Sequence, residues 1–205
     1  MRRKSICIMV VMILGVISLA ARPLGTEDYG TAEKGKSALE LGYDNSQTLV
    51  FALKHVPLKD VELSAEYELP TGTSFARDQV VLNAEFNLAQ KSLLGLDYGV
   101  KLKYNNSLQT LGLIWISALE ETAYNIHSNI VYEPEAALTF SLAGELKTLS
   151  PLEPVAEVTL TGSDSSALVG FRYEILPDSF VDAATTFTLS GADNNSSYVG
   201  FSTEF

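Results

Sequence analysis

The chain has 205 residues, with 14 basic against 25 acidic side chains and a formal net charge of -11. This acidic balance argues against a nucleic-acid partner, because the sequence has no basic stripe that could neutralise phosphates. At this length we expect one domain rather than two.

The first twenty or so residues have the three-part layout of a secretory signal peptide. Basic residues at positions 2–4 precede an unbroken apolar or small-residue run from Ile6 to Ala21. Ser18 and Ala20 supply small side chains at the two positions that a signal peptidase reads. The run is shorter than the roughly 20 residues of a membrane-spanning helix, so we favour a cleaved leader over residues 1–21.

Cleavage near Ala20 or Ala21 removes three basic residues and takes the net charge from -11 to -14. It also removes Cys7, the only cysteine of the sequence. The mature chain then has no disulfide to stabilise it in an oxidising compartment, and a closed barrel is another source of stability.

Beyond position 35 the sequence alternates with a period of two, which is the signature of strands. The clearest segment runs from Leu94 to Asn105. One face of it carries Leu94, Leu96, Tyr98, Val100, Leu102 and Tyr104, and the other carries Gly95, Asp97, Gly99, Lys101, Lys103 and Asn105.

About twelve such segments follow one another, near 36–45, 47–56, 59–70, 77–88, 94–105, 107–119, 122–133, 137–148, 153–162, 165–176, 179–190 and 196–205. Their length suits the roughly 9–11 residues of a tilted membrane strand better than the 5–6 typical of globular proteins. We therefore predict an all-β, antiparallel up-and-down transmembrane barrel over residues 36–205, with about 12 strands and 8 or 10 as alternatives. The rival fold is a soluble secreted β-sandwich. Residues 22–35 are predicted to be irregular, and they are a candidate plug.

Two kinds of connector alternate along the chain, which indicates two different barrel ends. One kind is rich in Asp, Asn, Ser and Gly, at 44–46, 105–107, 162–164 and 191–196. The other carries Pro, Leu and charge, at 57–59, 150–153 and 176–178. With twelve strands both termini lie at one end, so the Asn/Gly connectors are expected at the other, outward-facing end.

Aromatic residues on the apolar face fall near the strand ends, as in the aromatic belts of membrane barrels. The predicted belt residues are Tyr43, Tyr67, Tyr104 and Tyr132 near the outer end, and Tyr124, Tyr173 and Phe205 near the other end.

The opposite face is charged and is predicted to line the lumen. Its candidate residues are Glu40, Lys54, Glu62, Glu66, Glu68, Glu85, Asp97, Lys101, Lys103, His127, Arg172, Glu174 and Asp182. Counting outward from the predicted turns, we expect Lys54 to face Glu62 and Arg172 to face Asp182. These charges either pair as interior struts or, through their surplus of acid, favour the passage of cations.

Three stretches resemble known outer-membrane sequences. The last strand, Ser197 to Phe205, ends on an aromatic residue preceded by alternating apolar positions, and it resembles the terminal assembly signal of bacterial outer-membrane barrels. That resemblance implies contact with the barrel-assembly machinery.

Two further stretches are similar to a family of outer-membrane transporters associated with the meta-pathway of phenol degradation. They are Arg22-Pro23-Leu24-Gly25-Thr26-Glu27-Asp28 and Val56-Pro57-Leu58-Lys59-Asp60-Val61-Glu62-Leu63. This similarity implies a transport role.

The sequence therefore favours a channel or transporter for a small solute of unknown identity, located in outer-membrane lipid. A structural or adhesion barrel with a filled lumen is one alternative, and a lipid-modifying enzyme is another. Neither His55 nor His127 belongs to a recognisable nucleophile motif, so we predict no catalysis. The sequence also contains no metal-ligand cluster and no phosphate-binding glycine loop, so no metal or cofactor is expected.

Overall fold

The computed structural model describes residues 33–45, 48–71, 79–90, 95–147, 149, 151–191 and 195–205. Within these ranges no helix has the length and apolar character needed to cross a bilayer. The predicted signal peptide and most of the predicted segment 22–35 lie outside the described residues.

The described chain forms twelve strands: β1 (Ser37–Asp44), β2 (Thr48–Leu58), β3 (Val61–Pro70), β4 (Gln79–Ala89), β5 (Asp97–Asn105), β6 (Thr110–Glu120), β7 (Tyr124–Tyr132), β8 (Thr139–Leu146), β9 (Leu152–Thr161), β10 (Asp164–Leu176), β11 (Ser179–Ser190) and β12 (Ser196–Glu204). Each strand pairs antiparallel with its neighbours in sequence, and β12 pairs with β1 to close the barrel. The predicted barrel of about twelve strands is confirmed, and the alternatives of eight and ten strands and the β-sandwich are wrong.

The alternation of the sequence becomes an apolar outside and a largely polar inside. On β5, Leu102 and Tyr104 lie exposed on the outer surface, whereas Asp97 and Lys101 are buried in the interior. A globular protein buries its large apolar side chains, so this inverted distribution indicates a barrel whose outer wall faces an apolar medium.

The seam between β1 and β12 sets the two ends of the barrel. The backbone groups of Ser37 and Phe205 exchange two hydrogen bonds, at 2.9 and 2.8 Å. The end where β1 begins and β12 finishes is called the terminal end below, and the opposite end is called the far end. The predicted Asn/Gly connectors follow β1, β5, β9 and β11, which all finish at the far end. The connector after β7, residues 133–138, is at the same end but carries Pro, Leu and charge.

The connector predicted at 57–59 is shorter than expected. Strand β2 continues through Pro57 to Leu58, and the turn consists of Lys59 and Asp60, with Asp60 at a φ of 64°. The register shifts between His55 and Leu58. Such a bulge tolerates a proline that cannot donate a ladder hydrogen bond, and the aspartate tolerates the left-handed conformation.

Candidate functional site: the barrel lumen

The structure places the predicted lumen residues on the inward face at different depths. Glu40, Glu62, Glu85, Asp97, Lys101, His127 and Asp182 are buried, and Lys54, Glu66, Glu68, Lys103 and Arg172 are half-buried. Glu174 is exposed near the terminal end, one residue beyond Tyr173, where the pairing of β10 with β9 ends.

The inward lysines pair with carboxylates on neighbouring strands. The Lys54 ammonium lies 2.6 Å from Glu40 across β1 and β2, and the Lys101 ammonium lies 3.6 Å from Glu85 across β4 and β5. The expectation that Lys54 faces Glu62 is wrong, because the turn lies at Lys59 and Asp60 rather than around Leu58. With the bulge in β2, the register partner of Lys54 is Ser64.

Arg172 bridges three strands at the terminal half of the lumen. As predicted, it faces Asp182, and its Nε lies 3.1 Å from Asp182 Oδ1. Its Nη1 reaches past β9 to within 3.6 Å of Glu145 on β8, and its guanidinium carbon lies 5.3 Å from the centre of the Phe180 ring. One arginine thus holds carboxylates from two non-adjacent strands.

Glu145 is shared by further interior groups. It accepts a hydrogen bond from Asn125 at 3.3 Å, and His127 Nε2 lies 3.8 Å away. His127 therefore lies inside a charged interior network.

The far half of the lumen is lined by hydroxyl groups and by a partly exposed ion pair. Thr139 pairs with Thr161 at 3.0 Å and Ser141 with Thr159 at 3.1 Å, each across β8 and β9. The Lys103 ammonium lies 3.1 Å from Glu133. This pair passes over Gly112, where a Cβ atom would come 3.0 Å from the Glu133 side chain.

Part of the inward face is apolar, which the sequence analysis did not predict. Ile114, Ile116 and Ala118 of β6 are buried and form one cluster. A second cluster contains Ala143, Val155, Leu168 and Ala184, with Tyr198 packed against it. Both faces of β6 are apolar, so alternation alone cannot mark its inward side. The unbroken run of large apolar residues from Leu113 to Ile116 is the signal that could have indicated this.

The terminal end of the lumen contains a cavity. It has a volume of about 150 Å³ and is bordered by Glu40, Lys54, Glu62, Arg172, Phe180 and Glu204 among others. Among the described residues, no group of three or more His, Cys, Asp and Glu side chains is placed to hold a metal ion.

The predicted belt residues lie on the outer surface near the two rims. Tyr43, Tyr67, Tyr104 and Tyr132 are exposed toward the far end. Tyr124, Tyr173 and Phe205 are exposed toward the terminal end.

No protein-family model and no curated protein sequence matches the chain. Among solved structures it is similar to a KdgM porin in complex with disordered oligogalacturonate, at 10% identity and a TM-score of 0.64, over 83% of this chain and 99% of that chain. A second KdgM porin structure matches at 11% identity with the same TM-score and coverage.

A likeness at this identity shows the fold, so the chain has the barrel fold of these porins. The resemblance to the transporter family of the phenol meta-pathway stays a prediction.

Proposed function

We propose that this protein is a narrow outer-membrane channel for small solutes, with a lumen that favours cations. The observation that supports this most is the charge of the buried interior. Seven carboxylate residues are buried there, Glu40, Glu62, Glu85, Asp97, Glu145, Glu157 and Asp182, and Lys101 is the one lysine or arginine in the same buried set of described residues. A pathway lined by surplus carboxylates attracts cations and repels anions.

The expected width of the channel follows from strand number and burial. A barrel of eight strands is filled by side chains, whereas sixteen or more strands leave an aqueous pore. Twelve strands lie between these limits, and water reaches little of inward residues such as Ile116 and Asn129 at mid-height. These features favour a constricted passage for small solutes.

We do not propose the ligand of the structural neighbour as a solute of this chain. The KdgM porin was solved with oligogalacturonate, a chain of carboxylate sugars. A polyanion entering this lumen would meet carboxylates such as Glu85 and Asp97 in a low-dielectric interior, where repulsion between like charges is strong.

Residence in lipid is supported by Trp115, the single tryptophan, which projects outward from the middle of β6 with 42% of its surface exposed. In vesicles of phospholipids brominated at mid-chain, we expect strong quenching of its fluorescence, because its ring would touch acyl chains. Aqueous iodide should quench it little.

A matched variant moves the indole out of the membrane level. Trp115→Phe combined with Leu108→Trp places it in the exposed turn between β5 and β6. This variant should lose the response to bromine and gain the response to iodide. If the original protein responded to iodide and not to bromine, its outer wall would be in water.

The channel itself is tested in planar bilayers. Purified protein should give discrete conductance steps, and a potassium chloride gradient should give a reversal potential of the sign expected for a cation-preferring pore. The preference should decrease at high salt, because ions screen the partly solvated carboxylates. An anion-preferring reversal potential would contradict the proposed selectivity.

A structural barrel with a filled lumen is the second candidate function. The burial of interior residues such as Lys101 and His127 favours it. Bilayers that remain silent with folded protein would select this function over the channel. Recognition of Phe205 by the assembly machinery remains a proposal that applies to both candidates.

A further inference from the structure

We infer that the cavity at the terminal end is a binding site for a small organic ammonium cation, with Glu62 as its anchor. This inference rests on the proposed channel and names a class of solute that it would bind.

The first observation concerns the burial of Glu62 and its lack of a partner among the described residues. Its residue surface is only 8% exposed, and it borders the cavity. It makes no hydrogen bond or ion pair with any residue that the structure describes. A buried carboxylate is unfavourable without a partner, so a cationic donor entering the cavity would relieve this desolvation.

The second observation is that neighbouring cations are already engaged. Lys54 lies 2.6 Å from Glu40, and Arg172 lies 3.1 Å from Asp182 and 3.6 Å from Glu145.

The register partner of Glu62 across β3 and β4 is also a carboxylate, Glu85, which holds Lys101 at 3.6 Å. None of these ion pairs includes Glu62, and its register partner adds a second carboxylate beside it. The surroundings of Glu62 therefore favour a bound cation.

The size and walls of the cavity indicate an organic cation. Its volume of about 150 Å³ matches that of an engineered cavity known to admit benzene. Phe180 and Ala38 give the wall apolar surface, while Ser202 adds a hydroxyl group. A short alkylammonium ion can place its charged head at Glu62 and its carbon chain against Phe180.

The probe is propylammonium, with propan-1-ol as the uncharged control of similar size. Binding to folded protein in deuterated detergent micelles is measured by saturation-transfer difference NMR, and block of conductance is measured in bilayers. Wild-type protein should bind propylammonium and not propanol, and millimolar propylammonium should reduce the current.

Glu62→Gln keeps the shape of the side chain and removes its charge. It should raise the dissociation constant of propylammonium at least about tenfold, because a hydrogen bond to a charged group is lost. Glu121→Gln is the matched control, since it makes the same charge change in an exposed turn at the same end. It should leave propylammonium binding unchanged.

Phe180→Leu is a second variant that leaves Glu62 charged, and it should weaken binding by removing the aromatic wall. Heat-modifiable gel mobility verifies that each barrel is folded. Equal binding of propylammonium to wild type and folded Glu62→Gln would overturn the site even if the channel conducts. A silent wild-type bilayer with binding that depends on Glu62 would overturn the channel and retain the site.

Discussion

Gly170→Ala should strongly destabilise the barrel or prevent its assembly. Gly170 lies on the inward face of β10, between Val155 and Ala184 in the register of the sheet. A Cβ atom there would lie 2.5 Å from the carbonyl oxygen of Ala183, 2.6 Å from Ala184 Cβ and 2.9 Å from Ala184 Cα. Two of these three atoms are backbone, so the strand itself must move. Overpacking typically costs about 1–3 kcal/mol, and a backbone clash places this variant at or above the upper value.

The measurement is urea unfolding of detergent-folded protein, monitored by circular dichroism and by heat-modifiable mobility. Gly144→Ala is the control, because the nearest atom to its added Cβ would be the carbonyl oxygen of Asn125 at 3.9 Å. It should unfold close to the wild-type midpoint. If both variants were equally stable, the close approach of β10 and β11 at Gly170 would be disproved.

Arg172→Ala should lower the free energy of unfolding by about 3–5 kcal/mol, the range for breaking a buried ion pair. Its side chain is 12% exposed and that of Asp182 is 0% exposed. The substitution removes the cation that both Asp182 and Glu145 contact, and those carboxylates remain buried. The bridge from β10 to β8 is lost at the same time.

Lys103→Ala provides the contrast, because Lys103 and Glu133 are each 34% exposed and solvent screens their interaction. The expected loss is about 1 kcal/mol or less. Adding Asp182→Asn to Arg172→Ala should recover part of the stability, because one of the two buried carboxylates that lost the arginine becomes neutral. Additive losses in this double variant would show that the two side chains are not coupled.

The strands could be predicted because apolar and polar residues alternate most clearly in strands that have a charged inward face and an apolar outward face. Leu94 to Asn105 is an unambiguous example, and β5 lies within it. The pairing of Arg172 with Asp182 also followed from counting outward from the turn near Pro177. Local periodicity was thus sufficient to predict both the fold and one of the interior ion pairs.

The remaining details depend on irregularities that periodicity does not encode. The position of the turn at Lys59 and Asp60, together with the bulge before Leu58, places Lys54 opposite Ser64 rather than Glu62, and Lys54 pairs with Glu40 on β1. The inward side of β6 is apolar, which a rule based on polar interiors misassigns. The reach of Arg172 to Glu145 spans an intervening strand, so no hairpin count could reveal it.

The seam between β1 and β12 has a consequence for the order of folding. Every other strand pair joins neighbours in the sequence, whereas the seam joins Ala38 to Glu204. Each hairpin can form in turn at a small cost in loop-closure entropy. Closing the barrel costs more, because it must bring the distant ends of the chain together. We therefore expect an open, nearly complete sheet with two unsatisfied edges as the last species before the native state. It is the species most exposed to pairing with another chain.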